Sequence, residues 1–121
     1  MSAAVVLGLG LLGGAGAMSR FLLDGAVSGR LGRAFPFGTL AVNLSGALAL
    51  GVLVGAGVGG DRYRLWAVGL VGAFTTFSTW AYESHRLAEE GQARLALLNV
   101  ALSLALGVPA VLAGRWIGGG L

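Results

Sequence analysis

The 121-residue chain has no cysteine, no lysine, two prolines and one histidine, and only 11% of its residues are charged. The missing cysteine excludes a disulfide framework and thiol chemistry. A soluble domain carries about 25% charged residues, so the low charge, with 56% hydrophobic residues, excludes an ordinary soluble domain and points to the membrane. His85 has no second His, Cys or carboxylate at ligand spacing, which argues against a metal centre built from side chains. No nucleophile–base pair is visible, and the chain is not expected to be an enzyme. All eight basic residues are arginines, scattered over short loops and the ends of the apolar stretches. The net charge of +3 and pI near 10.7 therefore indicate lipid headgroups rather than nucleic acid as partners.

Four apolar stretches are present, from about Ala3 to Leu23, Phe37 to Gly59, Leu65 to Tyr82 and Leu95 to Ile117. Each is long enough to cross a bilayer, since about 20 apolar residues suffice. The joining segments, Asp24 to Pro36, Gly60 to Arg64 and Glu83 to Arg94, are short. Residues 1–121 therefore read as one all-α domain of four transmembrane helices in a cell membrane. Ala15-Gly16-Ala17 resembles a signal-peptidase site, but no basic region precedes the apolar run, so cleavage is not expected.

Glycines Gly10 and Gly14 in the first span, and Gly51, Gly55 and Gly59 in the second, recur every four residues. That spacing lets helix backbones approach closely within the bundle or between subunits. Four helices offer little interior, so an oligomer is expected. The first and third loops hold Arg20, Arg30, Arg33, Arg86 and Arg94, against Arg62, Arg64 and Arg115 on the other side. So small a positive-inside bias suits insertion in both orientations, or pairing with an oppositely oriented partner.

No carboxylate lies in mid-span: Asp24, Asp61, Glu89 and Glu90 fall in loops and Glu83 ends the third span. Proton-coupled exporters need a buried acid, and its absence counts against that class. The polar groups inside the bilayer are neutral: Thr39, Asn43 and Gly46 on one face of the second span, Asn99 and Ser103 on the fourth, and Thr75, Thr76, Ser78 and Thr79 on the third. They fit two readings. They could join neighbouring helices, at about 0.6 kcal/mol each, or form a donor track for a small anion. Phe74, Phe77 and Trp80 recur every three residues, as packing or as ring edges whose partial positive charge faces an anion. The segment Gly72 to Ser78 also suits a helix break, whose freed carbonyls can coordinate a cation.

Taken together, Gly13-Gly14-Ala15-Gly16-Ala17 with Arg20, Pro36-Phe37-Gly38-Thr39-Leu40-Ala41-Val42-Asn43-Leu44-Ser45-Gly46, and Gly72 with Thr75-Thr76-Phe77-Ser78-Thr79 and Glu83 closely resemble the Fluc (CrcB) fluoride channels. The likeness runs through nearly the whole chain in order and spacing. It implies a four-helix subunit with a broken third helix, forming an antiparallel, dual-topology dimer with two fluoride pores and a central sodium ion. By that likeness Asn43 helps bind fluoride, Phe77 supplies a ring edge, Phe74, Ser78 and Thr79 lie along the path, and Ser103 belongs to a polar track. The carbonyls of Gly72 and Thr75 would hold the sodium, and Arg20 would draw anions to the aqueous entrance.

The chain departs from the family's pattern where it matters for conduction. Trp80 stands where a second phenylalanine is usual, Asn99 where a tyrosine is common, and Gly107 and Val111 where hydroxyls often continue the track. The expected function is passive fluoride export that lowers fluoride toxicity, by a homodimer or by a heterodimer with a paralogous subunit. The alternatives are a non-conducting partner subunit and, less in keeping with the missing carboxylates, a small cation-coupled exporter.

Overall fold

A computed structural model describes all residues 1–121 and is entirely helical. Helix α1 spans Ala3–Leu31. Ser2 caps it, its hydroxyl accepting the Val5 N–H at 3.2 Å. It ends at Gly32, whose φ of 82° leaves the helix while its N–H still donates to the Ser28 carbonyl. Helix α2 spans Phe37–Gly55 and starts directly after Pro36. The third apolar stretch is two half-helices. The first, α3a, covers 60–74: Gly60–Tyr63 leads into a π-wound section, Arg64–Val71, and Gly72–Phe74 closes it. The second, α3b, spans Phe77–Glu89, and α4 spans Ala93–Gly119 with Pro109 inside it. The connection after α3b is only three residues, Glu90 to Gln92, turning on Gly91 with φ 77°.

Three helices (α1, α2 and α4) are long and apolar enough to cross a membrane. The break divides the third stretch, so neither half qualifies by length. Helix ends differ from the sequence expectation at four places; α2 ends at Gly55 rather than Gly59, and the other three are extensions. Eight residues placed in the first loop continue α1 to Leu31, Glu83–Glu89 belong to α3b rather than to a loop, and 60–64 are helical. Hydropathy marks where a helix leaves the hydrocarbon, whereas hydrogen bonding and capping mark where it stops. Past the apolar limit these turns carry their own support, with Ser28 donating to Asp24 at 3.0 Å and His85 pairing with Glu89 at 2.9 Å.

Only 18 of 121 residues are buried, so most of the apolar side-chain surface faces outward, as a bilayer-embedded protein requires. What is buried lies along seams. Helix α2 packs most extensively on α4, α1 packs on α2 and α3a, and α3b packs on α4. The break thus hands the third helix from one neighbour to another.

The α2–α4 seam is built from glycine. A Cβ on Gly51 would strike the Val111 carbonyl, and one on Gly114 would strike the Leu48 carbonyl. Gly55 and Gly118 meet the backbone of the opposite helix in the same way. Two of the glycines singled out on α2 therefore do bring backbones together. Gly59 does not, because it lies beyond the end of α2 with open space around it. Gly10 and Gly14 also have open space around them within the subunit; on α1, Gly16 makes the close approach, against Leu70 and Phe74.

Candidate functional site: a clamped helix break between two clefts

The break is two residues wide. Thr75 and Thr76 adopt extended backbone, φ −80°, ψ 160° and φ −147°, ψ 118°. In a continuous helix the Thr76 N–H would reach the Gly72 carbonyl. Here it donates to Asn43 Oδ1 at 2.8 Å, and Asn43 Nδ2 donates back to the Thr76 carbonyl at 2.9 Å. One side chain of α2 therefore satisfies both backbone groups of Thr76, the second residue of the break. An irregular backbone can exist at membrane depth only with such partners.

Each side of the break is finished differently. On the α3a side, Thr75 keeps its N–H and its hydroxyl on the Val71 carbonyl, at 3.0 and 3.1 Å. The Thr75 methyl fills the place a side chain on Gly46 would take, which explains glycine there. On the α3b side, the Thr76 hydroxyl accepts the Thr79 N–H at 3.2 Å and lies 3.1 Å from the Thr79 hydroxyl, an N-cap. Because the Thr79 N–H is taken, the Thr75 carbonyl accepts no hydrogen bond. The Gly72 carbonyl has lost its usual donor, Thr76, to Asn43. The Ala73 and Phe74 carbonyls receive no backbone N–H either, so the break leaves the carbonyls of residues 72–75 open, among them the two that the family likeness assigns to a cation.

Two clefts flank this point. One, of about 430 Å³, is lined by Asn43, Gly72, Thr75 and Thr76 together with Tyr63 and Val71. The other, of about 510 Å³, lies toward α4 and is lined by Asn43, Phe77, Trp80, Ser103, Gly107 and Val111 among others. Asn43, Phe77 and Trp80 line both. Phe77 is 76% exposed, and its ring stands 5.3 Å from that of Trp80, with the planes at 54°.

The structure therefore brings Asn43, Phe77, Trp80 and Ser103 together, with Gly72 and Thr75 on the neighbouring face. Phe74 lies elsewhere, packed against Gly46 and Gly16 between α1 and α2. Ser78 is exposed, 3.5 Å from the Thr76 hydroxyl. Thr79 lines a third cleft of about 280 Å³ at the end of the bundle, with Asp24, Arg33, Glu83 and Arg86. Arg20 is half-buried on α1, in no ion pair and outside these three clefts.

Two contacts have no counterpart in the sequence reading. Thr39 donates its hydroxyl to Glu83 at 2.5 Å, tying α2 to α3b below the break. Asn99, fully buried on α4, donates to the Ser84 hydroxyl at 2.9 Å, which in turn donates to the Trp80 carbonyl. The Thr76 cap had a signal, a threonine three residues before another hydroxyl at the start of an amphipathic run. The Glu83 and Ser84 contacts had none, because they depend on which helices meet.

The chain is 47% identical over 117 residues to a protein of Mycobacterium bovis named fluoride-specific ion channel FluC 2, covering 97% of this chain and 93% of that one. It is 43% identical over 122 residues to FluC 1 of Symbiobacterium thermophilum, covering 93% and 95%. It is 42% identical over 118 residues to FluC of Geobacter sulfurreducens, covering 93% and 92%. The family described as CrcB-like protein, Camphor Resistance (CrcB), matches residues 7–115. A multi-pass membrane chain with a clamped break, matched from one end to the other, belongs to the CrcB-like protein family.

Proposed function

We propose that this chain is a subunit of a fluoride channel that lets fluoride leave the cytoplasm passively. The observation that carries the reading is the Asn43 clamp between the two clefts, in a chain whose full-length relatives are named fluoride-specific ion channels. The clamp fixes the chemistry Asn43 offers. Its carbonyl is occupied by the Thr76 N–H, and one amide hydrogen by the Thr76 carbonyl. The group left for the clefts is the second amide hydrogen, a donor. A side chain whose free hydrogen is a donor favours an anion over a cation beside it. Phe77, exposed beside it, adds a ring edge that attracts an anion while excluding water.

Neither cleft-facing group is charged, so an anion held there is not trapped as an arginine would trap it. A monovalent anion leaves a cell of negative interior with a driving force of about 2.3 kcal/mol per 100 mV. The process needs no nucleotide and no proton partner, and it lowers fluoride toxicity. Together, α3a and α3b form the fourth crossing. The open clefts are closed by a second subunit in an antiparallel dimer. The Gly72 and Thr75 carbonyls fit a sodium ion, which would add positive potential beside the anion path.

The test is fluoride efflux from liposomes containing the chain alone, with sodium present, beside Asn43→Ala and Phe77→Ala. Rapid efflux by the chain, lost in both variants, is the expected result. No efflux from folded, dimeric protein, restored by a paralogous subunit, would replace the homodimer with a heterodimer. Absence of efflux in both settings would overturn the reading.

A further inference from the structure

On the side of α2 away from the two clefts lies a further groove of about 350 Å³. The clefts use Asn43, Ala47 and Leu50 of α2. The groove uses Ser45, Ala49 and Val52, two residues out of step and hence about half a turn round the helix. Its other wall is α3a, with Trp66, Leu70 and Val71. A subunit that covers the clefts therefore does so from the other side of α2.

The wall is apolar and leaves no polar group unmet. Its one hydroxyl, that of Ser45, donates to the Ala41 carbonyl of its own helix at 2.6 Å. Leu48 and Trp66 in the lining are 39% and 45% exposed, so the groove is open to the outside. Its volume admits an extended chain but not a helix, which is about 10–12 Å across with its side chains. Hydrocarbon tails gain little by choosing one apolar wall over another, so any preference must come from a headgroup.

The charges supply one. At this end of the bundle, where α2 and α4 finish and α3a begins, the charged side chains are Arg62, Arg64 and Arg115 against Asp61 alone. Arg64 pairs with Asp61 at 2.8 Å, which leaves Arg62 and Arg115 without an acidic partner. The opposite end, from Asp24 to Arg33 and from Glu83 to Arg94, holds four arginines and four acids, an even balance. Arg62, Trp66 and Leu70 follow at four-residue intervals, so Arg62 stands one turn outside the indole on the same side of α3a.

We propose that this groove binds an anionic phospholipid, with one acyl chain between α2 and α3a and the phosphate held by Arg62 at its mouth. Val71 lines both the groove and the smaller cleft, and its carbonyl anchors Thr75. The lipid chain thus braces the half-helix that ends at the break. The site requires nothing of the ion that the channel carries.

The test is native mass spectrometry of the full-length protein in detergent with equimolar phosphatidylglycerol and phosphatidylcholine of identical chains. One phosphatidylglycerol per subunit is expected to be retained in preference to phosphatidylcholine. Arg62→Gln should cut that preference roughly fivefold, the loss of one arginine near an anionic headgroup, while Arg94→Gln at the opposite end leaves it unchanged. Ala49→Phe fills the groove from an exposed position and should abolish the retention. Phosphatidylglycerol should also raise the unfolding temperature of the parent and not of Ala49→Phe. No preference in the parent, an equal loss in the two arginine variants, or full retention by folded Ala49→Phe would each overturn the site.

Discussion

The two ends of α4 solve opposite problems. Toward its C-terminus, Gly114 and Gly118 meet Gly51 and Gly55 of α2 backbone to backbone, with no side chain between. Toward its N-terminus, Asn99 and Ser103 face α3b across a seam holding hydroxyls, an amide, an indole and three unpaired polar atoms. Lipid is as apolar as leucine, so helices in a membrane cannot be driven together by burying greasy surface. Close van der Waals approach must serve instead. The glycine seam supplies that approach and makes α2 and α4 one rigid body. The polar seam is then free to keep groups unpaired, because it is not what holds the helices together.

That comparison can be broken by substitution. Gly114→Val should have the largest effect on folding. A Cβ there meets the Leu48 carbonyl, with Val52 N at 2.9 Å, and backbone on both sides cannot yield. A loss of at least about 3 kcal/mol is expected, read as a large fall in thermal unfolding temperature in detergent. Thr76→Val comes next. Valine accepts the extended backbone of the break but removes the cap of α3b, so a loss of about 1 kcal/mol is expected, with faster hydrogen exchange confined to the start of that helix. Smallest should be the double variant Ser84→Ala with Asn99→Leu. It removes both partners of one bond together with an unpaired buried oxygen, so stability should stay within about 1 kcal/mol of the parent. A drop of several kcal/mol there would show that the polar seam holds the helices after all.

Much of this arrangement was legible in the residues. Four apolar runs located the helices, and hydroxyls beside a glycine from Gly72 to Ser78 marked the break. The four-residue spacing of Gly51 and Gly55 marked the tight seam, although their partners Gly114 and Gly118 emerge only when α4 is laid against α2. The same spacing at Gly10 and Gly14 meets nothing inside the subunit, because spacing shows that a helix could be approached and not by what. Asn43 was placed at the site, but its grip on Thr76 lies beyond a one-dimensional reading, since the two residues are 33 apart in sequence. Phe74 and Phe77 look equivalent as a stripe. The break rotates one away from the other, sending Phe74 into the α1–α2 packing and Phe77 to the cleft. The π winding over Arg64–Val71 has no compositional mark that we can name.

The larger cleft has a consequence for behaviour in acid and alkali. Its polar lining consists of an amide, an indole and a hydroxyl, and none of these gains or loses a proton anywhere near neutrality. The membrane-embedded part of the path therefore keeps the same charge in an acidified or an alkaline medium, and proton concentration cannot open or shut it from within. Asp24 and Glu83 gather instead at the cleft near the end of the bundle, with Arg33 and Arg86. Any sensitivity of transport to pH must then arise outside this cleft, or from the protonation of the ion itself.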